Sequence, residues 1–223
     1  MKLSNFGLSD LEIKFREDPD LNVLQYASNA DLHTLVKYLT RDKNGTLRPS
    51  QQLLNQPRFK AAGDKLNQVW DLIAAELQLY GGNTVSNLLR RRTGVTYREI
   101  VMDVCVSQNI KVKASDSIFD LESQLIEGLI GKLWDKLTPE QRKDFFDTIT
   151  SNITNKDQAL ADRIIQAIKM NPTLIFATAA LIATPFSGAL LLASIGGPAY
   201  DVTVPSVVHI AYIRRTLTEV NRY

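Results

Sequence analysis

The sequence predicts an all-helical protein, a multi-helix globular bundle with a C-terminal apolar helical hairpin. Three observations lead there. Nearly every periodic stretch places apolar residues at i, i+3, i+4 and i+7. Helix-start signals recur along the chain. Alternation of apolar and polar residues is confined to the short Val202-Thr203-Val204. Composition agrees, since 223 residues of which 44% are hydrophobic and 22% charged can bury a substantial core. The 26 basic and 24 acidic side chains leave a net charge of +2, too small a surplus for a nucleic-acid partner, and none is expected. The single Cys105 excludes an internal disulfide, and the opening MKLSNFGLSDLEIKF lacks the basic, apolar, small-residue order of a secretory signal. A cytoplasmic protein is expected, at most peripheral on the inner face of the cell membrane. Residues 1–30 read as a leader, 31–150 as a helical body, and 151–223 as a helical region built round the hairpin, either separate from the body or continuous with it.

Taken in order, Leu32, Leu35, Val36 and Leu39 form the first core-facing stripe, and Leu66, Val69, Trp70, Ile73, Ala74 and Leu77 form a second over three turns. Between them, residues 42–57 read as a loop, with a turn at Asn44-Gly45 and with Pro49 and Pro57 limiting any helix. The Asp-Lys-Asn-Gly at 42–45 lacks the later carboxylates of a calcium loop. The second helix is expected to stop at Gly81-Gly82, where glycine suits a left-handed C-cap, with Asn83 or Thr84 capping a new helix through Leu88 and Leu89. Thr96 and Glu99 make a capping box, Val95 and Ile100 a hydrophobic staple, so a helix starts there with Ile100, Val101, Val104 and Cys105 inward. Cys105 then reads as a small buried hydrophobe. Further helices are expected from about residue 117 to 134, from Thr138-Pro139-Glu140-Gln141, and from about 155 to 170 with Leu160, Ile164, Ala167 and Ile168 inward, ending before Pro172.

Residues 170–200 contain 31 consecutive positions without a charged side chain. A membrane-spanning helix needs about 20 apolar residues. Pro185 and Gly196-Gly197-Pro198 divide this stretch into two arms, 173–184 and 188–195, and the first reaches only about 18 Å at 1.5 Å per residue. A proline-kinked span, a re-entrant hairpin and a buried hairpin all remain open. Small residues recur every fourth position at Ala180, Thr184 and Gly188 and at Ala189, Ala193 and Gly197, which permits close helix approach. Each flank, 156–169 and 201–223, carries three basic and two acidic residues, so the flanking charges set no orientation. The side chains expected to meet a membrane or a client are Leu174, Ile175, Phe176, Leu181, Ile182, Phe186, Leu190, Leu191, Leu192 and Ile195.

Enzyme templates find little support. His33 and His209 are the only histidines and there is no second cysteine, so neither a metal site nor any cofactor is expected, and no catalytic residue is assigned. A polar corner is the remaining candidate, either structural or ligand-binding: Glu76, Gly81, Gly82, Asn83, Arg90, Arg91, Arg92, Tyr97, Glu99 and Asp103. Glu99 and Asp103, one turn apart, could divide acid and base roles, giving an enzyme at residues 76–103. The structural reading spends Glu99 as a cap and pairs Glu76 or Asp103 with an arginine. The arginine run could hold anionic lipid head groups or an acidic partner face, or be solvated helix-end charge.

The leader from Asp18-Pro19-Asp20-Leu21 to Leu39-Thr40, the run Ile73 to Thr84 with Gly94 to Glu99 and Asp103-Val104-Cys105, and the ending Ala199 to Pro205 with Ile210-Ala211 and Arg214-Arg215 resemble the bacterial YaaW-like family of uncharacterised proteins. The resemblance covers nearly the whole chain, with an added segment through about Lys14 to Glu17 and Pro185 in the compact hairpin as departures. That family is in turn distantly similar to the ubiquinol-cytochrome c chaperone domain, which binds a client rather than catalysing a reaction. The resemblance implies a helical fold and a membrane-linked setting, and brings no catalytic residues. The expected function is therefore non-enzymatic binding of a membrane surface or membrane-protein client through a conditionally exposed hairpin, as a chaperone or assembly factor, with a protein partner and with homo-oligomers permitted. The alternative is a membrane-damaging or pore-forming effector of a stress or defence system.

Overall fold

The computed structural model describes residues 12–42, 44–84, 94–136, 138–140 and 201–220. These are mostly helical, with no strand among them, which establishes the all-helical class. The uncharged stretch 170–200 lies outside the described residues. The chain divides into two compact units, Met1–Ile100 and Val101–Tyr223.

In the first unit, residues 12–18 run without regular structure into a 3-10 turn, Asn22–Tyr26, and then α1, Asn29–Thr40. Ser28 caps α1, its side chain accepting from the Asp31 amide at 3.1 Å, and Leu32, Leu35 and Leu39 are fully buried. A single bridge between Arg41 and Leu47 closes the turn after it, where Gly45 takes φ +80°. Asp42 Oδ1 accepts from the amides of Asn44 and Thr46, both at 2.9 Å, so this carboxylate is spent on its own turn. The loop to residue 57 contains a 3-10 turn, Leu53–Asn55. Helix α2, Pro57–Ala62, begins with proline at its start and ends at Gly63 with φ +55°. The second apolar stripe is split in two: Leu66–Val69 form a 3-10 turn and α3 runs Trp70–Thr84. Leu66, Ile73, Ala74 and Leu77 on it are buried, as the spacing predicts.

Helix α3 does not stop at Gly81-Gly82 but passes through both glycines to Thr84. Neither glycine has a positive φ. Gly81 answers a different need, because a Cβ there would lie 2.6 Å from Ile100 Cγ1, 2.8 Å from Ile100 Cδ1 and 3.1 Å from Val95 Cγ2. The staple residues of the next helix, α4 (Tyr97–Ser107), thus sit on bare α3 backbone. The expected corner is a close approach, and the expected helix through Leu88 and Leu89 lies outside the described residues.

In the second unit α4 ends in a left-handed cap. Asn109 takes φ +51°, its amide donates to Val106 O at 2.9 Å, and the Ile110 amide donates to Cys105 O at 2.8 Å. Ile110 then packs on α5, Ile118–Lys136, where a Cβ at Gly128 would meet it at 2.6 Å. Ser117 caps α5, accepting from the Asp120 amide at 3.1 Å. Pro139 and Glu140 are helical, as the start at Thr138-Pro139-Glu140-Gln141 predicts. The last described helix, α6 (Thr203–Val220), packs on α5 with Ala211 against Ile126, flanked by Val208 and Tyr212. The Val202-Thr203-Val204 alternation is therefore the entry to a helix.

Candidate functional site

The first unit gathers four of its buried polar side chains under the leader and α4. Glu76, on α3 and 3% exposed, accepts from the amides of Gln52 (3.0 and 3.2 Å) and Leu53 (3.0 Å), capping the 3-10 turn 53–55. Arg48 stands 3.8 Å from Glu76, binds Leu39 O through Nε at 3.0 Å and through Nη2, and lays its guanidinium over the Tyr80 ring at 4.1 Å. Burial pushes the Glu76 carboxyl above its usual range, outweighing the Gln52 and Leu53 amides and the Arg48 charge, which pull it down.

Around the start of α4 the predicted capping box forms. Thr96 N and Oγ1 donate to Glu99 Oε2 at 2.8 and 2.9 Å, and the Glu99 amide donates to Thr96 Oγ1 at 3.3 Å. Asp18 from the leader adds a second carboxylate, Oδ2 accepting from the Tyr97 amide at 2.6 Å and Oδ1 from the Asp20 amide at 3.1 Å. Two negative groups thus face the positive end of α4. Tyr97 itself is fully buried.

Two buried glutamines hold the leader's main chain. Gln78 Oε1 accepts from the Arg16 amide and its Nε2 donates to Arg16 O, both at 2.9 Å. Gln56 Oε1 accepts from the Ile13 amide at 3.2 Å. Arg16 Nη1 donates to Gly94 O at 2.9 Å and lies 3.9 Å from Glu99, while Arg58 bridges Glu12 at 3.2 Å and Asp71 at 2.8 Å. Gly94 is tight for the same reason as Gly81, its position for a Cβ being 2.6 Å from Gln78 Cβ.

The second unit has its own charged cluster. Glu122 on α5 is wholly buried, its Oε1 accepting from Arg214 Nε at 3.1 Å and its Oε2 from Arg215 Nη1 at 3.1 Å. Arg215 also reaches Ala211 O (3.1 Å), Phe119 O (3.3 Å) and Ser123 Oγ (2.8 Å), and stacks on the Phe119 ring at 4.2 Å. Asp103 on α4 is half-buried, with its carboxyl raised by burial. Cys105 is fully buried and its thiol is pushed up to about 11 by burial.

Of the predicted corner, the structure brings Glu76, Gly81, Tyr97 and Glu99 into one unit. It places Gly82 and Asn83 within α3 and Asp103 further along α4 in the second unit. Arg90, Arg91 and Arg92 lie outside the described residues, as do all ten side chains from Leu174 to Ile195 named for membrane or client contact. The arginine beside Glu76 is Arg48, from the supposed loop. Arg48, Asp18, Gln56, Gln78 and Glu122 carried no periodic or motif signal. A glutamine inside a largely apolar helix, as Gln78 is in α3, is the one hint the sequence offers. Glu76 and Glu99 are both engaged by backbone donors, which fixes chain geometry, while Asp103, the residue paired with Glu99 for acid and base roles, is half-buried further along α4.

The fold and site define an all-helical protein whose described polar clusters bind its own backbone. Comparison with known proteins adds what the chain is similar to. A family described as a domain of unknown function (DUF3944) matches residues 15–48. The chain is 29% identical to the UPF0174 protein YaaW of Escherichia coli K12, over 93% of this chain and 98% of that one. It is 24% identical to a UPF0174 protein of Helicobacter pylori J99 (93% and 95% covered) and 25% identical to one of Helicobacter pylori 26695 (75% and 98%). No solved structure matches. The likeness to the YaaW-like family is thereby shown; the more distant one to the chaperone domain is not.

Proposed function

We propose that this protein is a non-enzymatic binding factor that engages a membrane surface, or a client protein within it, through the uncharged stretch 170–200, with the helical units as its scaffold. The observation that carries the reading is the run of 31 positions without charge in a chain that is otherwise 22% charged. The capture of Glu76 and Glu99 by backbone donors supports binding over catalysis. No helix among the described residues is long and apolar enough to cross a membrane. Sheltered and exposed states would interconvert, and moving the balance from 1:99 to 99:1 requires a partner that prefers the exposed state by about 5.5 kcal/mol.

The test is co-sedimentation of the full chain with phosphatidylethanolamine–phosphatidylglycerol vesicles, beside a Leu181→Asp, Leu191→Asp variant. The unaltered chain is expected in the pellet and the variant in the supernatant. Indifference of both to vesicles, together with no membrane protein captured by a photo-crosslinker at residue 181, would end the reading. The four-residue spacing of Ala180, Thr184 and Gly188 favours a second reading, in which these segments associate and damage membranes as an effector does. Growth arrest on induction, relieved by Gly188→Leu, is its expected mark.

A further inference from the structure

The leader is bound as a peptide ligand is bound. Along residues 12–18, Ile13 and Asp18 are buried, Phe15 is half-buried, and Glu12, Lys14, Arg16 and Glu17 are exposed. The groove recognises the main chain itself, Gln78 gripping both the amide and the carbonyl of Arg16 and Gln56 the amide of Ile13 three residues earlier. Such contacts are available from any extended peptide and are indifferent to sequence. Specificity comes from side chains set on either side. Ile13 enters the core at 5% exposure, Phe15 meets Trp70 edge to face at 5.2 Å and 69°, Glu12 pairs with Arg58, and Arg16 reaches Gly94 O and Glu99. The charged contacts are about half exposed and weak, and the strap has no regular structure of its own to hold it in place.

We propose that this groove is a peptide-binding site closed in cis by residues 12–18. Its external occupant is an extended segment of a partner protein with the same order of side chains, an acid, an aliphatic residue, any residue, an aromatic and a base. The covalently joined strap competes at high effective concentration, so a partner gains entry only when the strap is weakened or withdrawn. The proposal uses no residue of the uncharged stretch and stands whether or not that stretch meets a membrane.

The test uses the full chain with Ile13→Asp and Phe15→Ala, which empties the groove of its anchors, and a fluorescent peptide with the sequence of residues 12–20. Fluorescence anisotropy is expected to show saturable binding to this variant, at least about tenfold weaker binding to the unaltered chain, and loss of binding when Gln78→Ala is added. A peptide of scrambled order is expected not to bind. The proposal is overturned if a variant with native helical circular dichroism and cooperative unfolding binds no peptide, or if Gln78→Ala leaves binding unchanged. Should the variant fail to fold, hydrogen exchange on the unaltered chain decides. The Ile13 and Arg16 amides are expected to exchange at least about a hundredfold faster than the amide of Ala75 inside α3, through local release of the strap. Exchange of all three at the rate of global unfolding would overturn it.

Discussion

Replacing Gly81 with alanine distinguishes a glycine kept for close packing from one kept for a cap. In a helix interior the change gains about 1 kcal/mol of propensity. Against it, the new Cβ would stand 2.6 and 2.8 Å from Ile100 Cγ1 and Cδ1 and 3.1 Å from Val95 Cγ2, and both residues are buried, at 1% and 2% exposure. Overpacking of this kind costs about 1–3 kcal/mol. The expected net effect of Gly81→Ala is a loss of about 1 kcal/mol, or about 2–4 °C in Tm for a chain of this size. Ile100→Ala alone is expected to cost about 2–5 kcal/mol as a cavity. In the double variant the added methyl enters the space that Ile100 vacates, so the two losses should fall short of their sum by about 1–2 kcal/mol. Urea unfolding followed by circular dichroism measures all four corners of the cycle. Additivity within about 0.5 kcal/mol would refute the packing argument and return Gly81 to a purely backbone role.

Three more outcomes follow from the buried groups. The native carboxyl of Glu76 lies above its ordinary value of 4.5, so the folded state holds that proton more tightly than the unfolded chain. The resulting stability is present below the ordinary value and lost as pH rises through the native one. Glu76→Gln should flatten that loss in urea unfolding across the window, and an unchanged slope would contradict it. Arg215→Lys keeps the charge but cannot span Glu122, Ala211 O, Phe119 O and Ser123 Oγ together, and should cost about 1–3 kcal/mol in the same assay. Cys105, fully buried and with its thiol near 11, should react with a maleimide at neutral pH on the order of a hundredfold slower than in urea. Equal rates would show an open α4.

What the sequence disclosed was local. The Thr96–Glu99 capping box, the Ser117 helix start and the buried faces of Leu32, Leu35 and Leu39 each depend on spacings of three or four residues, which the chain writes openly. The misreading of Gly81-Gly82 has the same origin. Glycine signals freedom, and only the return of Val95 and Ile100 shows that its use is the missing Cβ. The polar network was illegible because its partners are remote: Gln52 lies 24 positions from Glu76, Arg16 62 from Gln78, and Arg215 93 from Glu122. No periodicity announces a glutamine that will grip a backbone far away.

The arginine fork of α6 bears on the neighbouring uncharged stretch. That stretch is followed at once by a helix whose placement on α5 is keyed by one acidic group shared between two guanidinium groups, and sliding α6 by a turn would strand a charge inside the unit. The described chain that enters α6 at Asp201 therefore leads into a helix whose register is locked by charge.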